Sequence, residues 1–498
     1  MRTGWRAVGL VATDWAVPLG FGVGLSLAAP LRTALVFGGN EGYELMKALL
    51  VSLGHPLYGP FWNDQPPLHT ELVAWLFRLV GPSAYAARLL SVGFAVVLVG
   101  AFYRLVSARS GRAAGLVAVA LVVVSPHFLE LSVSVMLDGP SLALGVAALW
   151  AWDQQRQRRA LPWALICGLL FGCALQIKLT AAILAPALAV ECFLNPPSRG
   201  RRGVAEILSA AGCWAVGVTA AFGLIALAFY RHDTLAVFWA SHFSAGTTQE
   251  AAGATYEFRP EAVVGNAALV PALAGFGLIM WRRRRDLILP VVLLGTASLV
   301  HWWHRPFWYY YSLHFAVPLA WLGAVGVVEG FVAQWDLPFG PSLGRKLGVA
   351  LAVLSWSLVV AWPVTLWPGE VGEEVLRLRQ VVTADSDPVV MALQKHAPGT
   401  RWIFTDNLIA AFWARVPVPP ALAVIPLKRV WSGQISGEEV TRCLERYRPE
   451  LVLIGAGWQE RFGLQRYLAE HYTLASDAEL SGLYVRNGWL GPSNDAAR

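Results

Sequence analysis

Residues 40–69, NEGYELMKALLVSLGHPLYGPFWNDQPPLH, hold Glu41, Glu44 and Asp64, with Glu71 just beyond. Carboxylates in such a stretch can act as general bases, taking a proton from a hydroxyl as it attacks, or can serve as helix-capping groups. Glu41 and Glu44 lie one turn apart in a helix that starts at Asn40. First-turn acids complement a helix dipole, with Asn40 as cap, and that accounts for Glu44. It does not account for an acidic turn set directly against an apolar segment, so Glu41 is the candidate base. Asp64 precedes Gln65-Pro66-Pro67, whose prolines fix an extended backbone. It reads equally as a turn aspartate or as a second catalytic carboxylate. Asp138, in SVMLDGPSLAL, caps the helix opening at Gly139-Pro140, and a cap can also face a site.

The cations that would complement these acids are few. Lys178 sits at the tip of a hairpin in CGLLFGCALQIKLTAAILAPALAV, where it can snorkel to an interface or pair with a phosphate. Arg305, in HWWHRPFWYYYSLH, offers a planar fork suited to phosphate oxygens, with His304 beside it. The surrounding aromatics also fit a membrane-interface belt. Asn40, Tyr43, Tyr310 and His314 are candidates for contacts to substrate. His232, His242, His301, His304 and His314 have no metal-ligand spacing, so no metal site is assigned, although the chemistry is compatible with a divalent ion.

What positions these groups follows from the solvent. Of 498 residues, 56% are hydrophobic and 14% charged, against about 25% charged in a soluble domain. Lipid is therefore the main solvent. A membrane helix needs roughly 20 apolar residues. Eleven segments qualify, centred near residues 25, 97, 121, 146, 169, 186, 216, 272, 294, 320 and 356. The clusters Arg2/Arg6, Arg104/Arg109/Arg112, Arg156/Arg158/Arg159, Arg199/Arg201/Arg202, Arg282 to Arg285 and Arg345/Lys346 then share one face, with 17 cations. At most eight fall on the other: Arg32, Lys47, Arg78, Arg88, Lys178, Arg231, Arg259 and Arg305. Fixed cations favour the cytoplasm, which places the N-terminus inside a cell inner membrane, with MRTGWRAVGLVATDW opening an uncleaved first span. The net charge of +7 is thus a topology signal and not a nucleic-acid surface. Four of the five cysteines lie in apolar runs and read as small hydrophobes.

On this map residues 38–88, the connections at 130–139 and near Lys178, the loop 231–262 and residues 301–312 face outward. HTELVAWLFRLVG is too short to span and reads as an amphipathic interfacial helix. A polytopic membrane domain is expected over 1–366 and a small extracytoplasmic α/β domain over 367–498. In the latter, RWIFTD, ELVLIG and GLYVRN are strands and Ser436 caps the helix of SGEEVTRCLERY. Glu41, Glu44, Asp64, Asp138, Lys178, Arg231, His232, His242, His301, His304, Arg305 and His314 then collect at one face. Acids beside cations at helix ends suit binding of a lipid-linked phosphate and deprotonation of a group next to it. A transporter or flippase would instead place ionisable groups near the midplane of related repeats, and the sequence has no such repeat.

NEGYELMKALL, WNDQPPL and GPSAYAARLL resemble the first external loop of the dolichyl-phosphate-mannose–protein mannosyltransferase-like superfamily. Its bacterial members include the transferases that add aminoarabinose or galacturonic acid to lipid A. The resemblance is strong over residues 38–150 and continuous to about 330, through Lys178 and WYYYSLHFAVPLAWLGA. It implies an integral-membrane GT-C fold and transfer of a sugar from a polyprenyl-phosphate carrier to a hydroxyl of a lipid, glycan or protein. A first-loop acid would be the base. The superfamily usually has Asp-Glu where this chain has Asn40-Glu41, which leaves Glu41 as base by position. It often has Lys where Gln65 stands, so Lys178 and Arg305 are the phosphate candidates. Glu41→Gln is expected to leave a folded, inserted and inactive protein. An inactive relative acting as a scaffold is the competing expectation.

Overall fold

A computed structural model describes residues 2–59, 61–194, 201–229, 257–258, 260–333, 343–475 and 482–489. Of these, residues 2–13, 194, 201–202, 229, 262, 333 and 343–349 are described by backbone alone. Every expected span centre falls in a helix. These are α1 (Arg2–Ala28), α4 (Ala84–Val123), α6 (Asp138–Arg158), α7 (Leu161–Ile177), a 3-10 turn (Leu179–Leu184) leading into α8 (Ala185–Leu194), and α9 (Arg201–Phe229). They continue with α10 (Leu269–Trp281), α11 (Ile288–Trp303), α12 (Leu313–Ala333) and α13 (Leu343–Arg379). Among the described residues, five helical segments are long and apolar enough to cross a membrane: Ala84–Val123, Gly203–Ala228, Arg285–Trp303, Tyr309–Val332 and Ala350–Arg379. Shorter apolar helices accompany them at Asp14–Ala28, Leu161–Ile177, Leu179–Phe193 and Leu269–Trp281.

Two expected centres share α4 because Gly111 breaks it. Its φ of 85° is open to glycine and costly for other residues. The chain folds back so tightly there that a Cβ on Gly115 would stand 2.0 Å from Ser107 Oγ.

Lipid gives helices no hydrophobic reason to associate, so close backbone packing has to hold them. Glycines supply it at two crossings. A Cβ on Gly168 of α7 would lie 2.0 Å from the Trp214 carbonyl of α9, and one on Gly275 of α10 would lie 1.9 Å from the Leu322 carbonyl of α12. Gly275→Val should therefore destabilise the protein by at least about 1–3 kcal/mol. The check is the thermal midpoint in detergent, and an unchanged midpoint would show that this crossing yields easily.

The apolar interior divides into two cores. One lies among the long helices and includes Phe102, Val146, Phe315 and Trp321. The other joins α2 (Glu41–Ser52) and α3 (Leu68–Val80) of the first loop to the C-terminal tail, uniting Leu45, Leu50, Val73 and Phe77 with Val390, Phe412, Leu451 and Leu468. Phe77 and Phe412 stack with centroids 5.8 Å apart. The first loop thus packs as part of the tail's fold. α3 buries His69, Val73 and Phe77 against this core and exposes the apolar Trp75, Leu79 and Val80 on its other face.

The composition changes at residue 367, but α13 continues through that point to Arg379. Buried Glu374 accepts bonds from the Leu129 and Glu130 amides and ties this extension to the membrane part. After it come β1 (Ile403–Thr405), β2 (Leu451–Leu453), β3 (Tyr472–Leu474) and β4 (Leu483–Arg486) in the order β1-β2-β4-β3. β1 and β2 run parallel, while β4 is antiparallel to both β2 and β3. β3 lacks an alternating pattern long enough to be read from sequence. Ser436 Oγ accepts from the Glu439 amide, the expected cap.

Candidate active site

The first loop is held by a buried ion pair. Arg88, near the start of α4, donates from Nε to Glu41 Oε1 and from Nη2 to Glu41 Oε2, both at 2.9 Å. The amides of Phe37 and Val135 occupy the remaining positions on the two oxygens. The other Arg88 donors reach the carbonyls of Leu31, Ala34 and Leu35. Both side chains are fully buried. Glu41 therefore points inward with every lone pair committed, which leaves no oxygen to receive a proton from a hydroxyl. Asn40 occupies the position before α2, but its side chain makes no capping bond.

Asp64 is placed differently. The Asn63 amide and the Tyr58 hydroxyl both donate to the Gln65 carbonyl, fixing the turn ahead of Pro66-Pro67. The carboxylate stays partly exposed, and Lys428 of the tail approaches it to 3.7 Å. Glu44 lies beneath, with Oε1 2.7 Å from buried Lys47. Its Oε2 is buried without a partner among the described residues. Burial pushes the Glu44 carboxyl above its usual range; Lys47 opposes that shift and Asp64 adds to it. Burial, with Asp406 and Asp64, pushes the Tyr43 phenol up to about 12, and its hydroxyl donates to the Ile425 carbonyl of the tail.

Asp138 opens α6, but it pairs with Lys178 instead of capping. Lys178 Nζ is 2.8 Å from each carboxylate oxygen. The same ammonium lies over the Tyr310 ring at 4.3 Å and the Tyr311 ring at 5.1 Å. Asp64 and Asp138 are both within electrostatic reach of those two tyrosines. His304 connects the remaining corners: loss of solvent around the ring, then Lys428, then Lys178 hold its imidazole below the ordinary range. Asp64, Lys428, His304, Lys178, Asp138, Tyr310 and Tyr311 thus surround one region at the N-terminal ends of α6 and α12 and the C-terminal end of α7.

Residues 64–229 match the family model described as dolichyl-phosphate-mannose-protein mannosyltransferase. No curated relative matches the chain in sequence. Among solved structures, ArnT from Cupriavidus metallidurans bound to undecaprenyl phosphate aligns over 99% of this chain and 100% of its own, at 13% identity and TM-score 0.60. The archaeal oligosaccharyltransferase AglB from Archaeoglobus fulgidus, in complex with an inhibitory peptide and a dolichol-phosphate, aligns over 97% of this chain and 75% of its own, at 13% identity and TM-score 0.58. This chain has the GT-C fold.

Within the GT-C frame, the expected residues separate into two groups. Asp64, Asp138, Lys178, His304 and Tyr310 come together. Glu41 is turned away into the Arg88 pair. Arg305 leaves the group: its guanidinium pairs with Glu257 at 2.9 Å on an exposed rim. His314 is spoken for by His301, whose Nε2 lies 2.9 Å from its Nδ1. Arg231, His232 and His242 lie outside the described residues. Sequence reasoning counted Arg88 only as an outward cation and gave it no role, although an arginine one turn into an apolar stretch is a signal in itself. It also missed Lys428, which sits in a part of the tail that carries no motif.

Proposed function

We propose that this GT-C chain transfers a hexosyl or pentosyl unit from a polyprenyl-phosphate carrier to a hydroxyl acceptor at the extracytoplasmic face of the inner membrane. The observation that carries this reading is that Asp64, with Lys428 3.7 Å away, and Asp138, paired with Lys178, both lie within electrostatic reach of Tyr310 and Tyr311. Asp64 is the general base: it is the accessible carboxylate of the group, with no hydrogen bond committed among the described residues. Lys178 and Lys428 receive the phosphate as negative charge builds on the leaving oxygen. Asp138 is a positioning residue that holds Lys178 over the tyrosine faces. Glu41 and Arg88 shape the loop. His304, within electrostatic reach of both lysines, offers a ring N–H to a phosphate oxygen. The lipid phosphates in the ArnT and AglB structures support a carrier of this chemistry. The arginine-rich ends then face the cytoplasm with the N-terminus, and the tail lies outside with the first loop.

Mass spectrometry of lipid co-purified with the full chain tests the reading. The expected species is a polyprenyl phosphate or its glycosylated form, and lipid extracts lacking both would overturn it. Lys178→Met combined with Asp138→Asn removes both charges together, so neither is left buried alone. Retention of the carrier should then fall by about 10- to 100-fold, as expected for lost charge-assisted hydrogen bonds.

A further inference from the structure

A second site lies at the other end of the same helices. From Arg88 to Arg104 along α4, and from Asp138 to Gln154 along α6, the rise is about 24 Å, close to the thickness of a hydrocarbon core. A cavity of 360 Å³ opens there between α1, α4 and α6, lined by Asp14, Tyr103, Arg104, Ser107, Arg112 and Arg158, among others.

The arginines at this end are not alike. Arg109, one and a half turns beyond Arg104, is buried and satisfied, donating to Asp153 and Glu191 at 2.9 Å and to the Asp286 carbonyl. It cross-links α4, α6 and α8 and has nothing left to offer a ligand. Arg104 is the opposite case. Its guanidinium carbon lies 4.1 Å from the Trp15 ring centroid and 5.7 Å from that of Trp150. No carboxylate pairs with it among the described residues, and residues 1–13 contain neither Asp nor Glu. Arg158 rests on Trp163 at 5.6 Å, again without a carboxylate partner among the described residues. Arg112 meets Asp14 at 3.3 Å, the lining carboxylate. Three guanidinium groups thus face one acid. Ser107 Oγ on the wall is buried and has no hydrogen-bond partner among the described residues.

We propose that this cavity holds the headgroup of an anionic phospholipid, its phosphodiester seated on Arg104, Arg158 and Arg112. Indole faces orient a guanidinium plane without using its N–H edge, which leaves a fork free for phosphate oxygens. The cavity sits at a membrane boundary between helices, where a lipid reaches it by lateral diffusion, and each arginine there gains from an anionic headgroup. A free phosphate ion would offer the same oxygens, so the two sources have to be separated by experiment.

The test titrates the purified full-length protein in detergent with short-chain phosphatidylglycerol, short-chain phosphatidylcholine and inorganic phosphate, reading native mass spectra and the thermal midpoint. Phosphatidylglycerol should bind saturably and raise the midpoint, with phosphatidylcholine and inorganic phosphate well behind. Arg104→Gln should weaken phosphatidylglycerol about fivefold, with its midpoint in phosphatidylcholine unchanged. Arg158→Gln, at the rim, removes a charge without disturbing the tryptophan pair and should act in the same direction if Arg104→Gln fails to fold. Equal phosphatidylglycerol binding by the wild type and both variants would overturn the proposal. So would inorganic phosphate that matches the stabilisation and displaces the lipid, because the site would then be one for a free anion.

Discussion

Asp64→Asn should lower sugar transfer by about 10²- to 10⁴-fold, with carrier lipid retained and the thermal midpoint almost unchanged. The size follows from the role assigned to the carboxylate, which takes the acceptor proton as the new bond forms. The selectivity follows from its placement. The side chain is partly exposed, its charged neighbour stands at 3.7 Å, and the backbone around it is fixed by bonds to the Gln65 carbonyl that asparagine leaves alone. Glu44→Gln combined with Lys47→Met is the control, since it removes both members of a buried pair and strands neither charge. Full turnover in Asp64→Asn would remove Asp64 as the base, and a loss of transfer confined to the Glu44 variant would assign that role to Glu44.

Glu41→Gln should behave quite differently from an inactive but folded variant. Removing one partner from a buried pair strands the other charge, a cost of about 3–5 kcal/mol, and Arg88 is fully buried. The amides of Phe37 and Val135 would lose part of their acceptor as well. The expected result is low yield in the membrane and a large drop in thermal midpoint. Replacing both charges, Glu41→Leu with Arg88→Met, should recover a good part of that loss. A single variant with a native midpoint and no transfer would instead restore Glu41 to catalysis.

The contrast between these two acids shows what could be read in the sequence. Span centres were legible because apolar runs of membrane length have one physical solution, and Asp138 and Lys178 stood out because an ionisable group beside lipid needs a reason. The direction in which Glu41 points was not legible. It depends on Arg88, 47 positions on, and nothing local couples the two. Lys428 was hidden more deeply, because its approach to Asp64 exists only once the tail has docked on the first loop. The same docking explains why residue 367 is a change of composition and not of structure: α13 runs on as a charged helix before the sheet begins.

The docking is extensive. Trp62 donates to Gln434 at 2.7 Å, Trp413 to the Leu35 carbonyl at 2.9 Å, and the Leu35 amide to the Val382 carbonyl at 2.7 Å. An interlock follows from the proposed reading: if Lys178 and Lys428 both receive the phosphate, the chamber borrows one of its two lysines from the far end of the polypeptide and is electrically complete only while that end is seated. Any event that unseats it, whether proteolysis, a binding partner or a substitution at the seam, disarms the chamber without altering a single residue inside the bilayer.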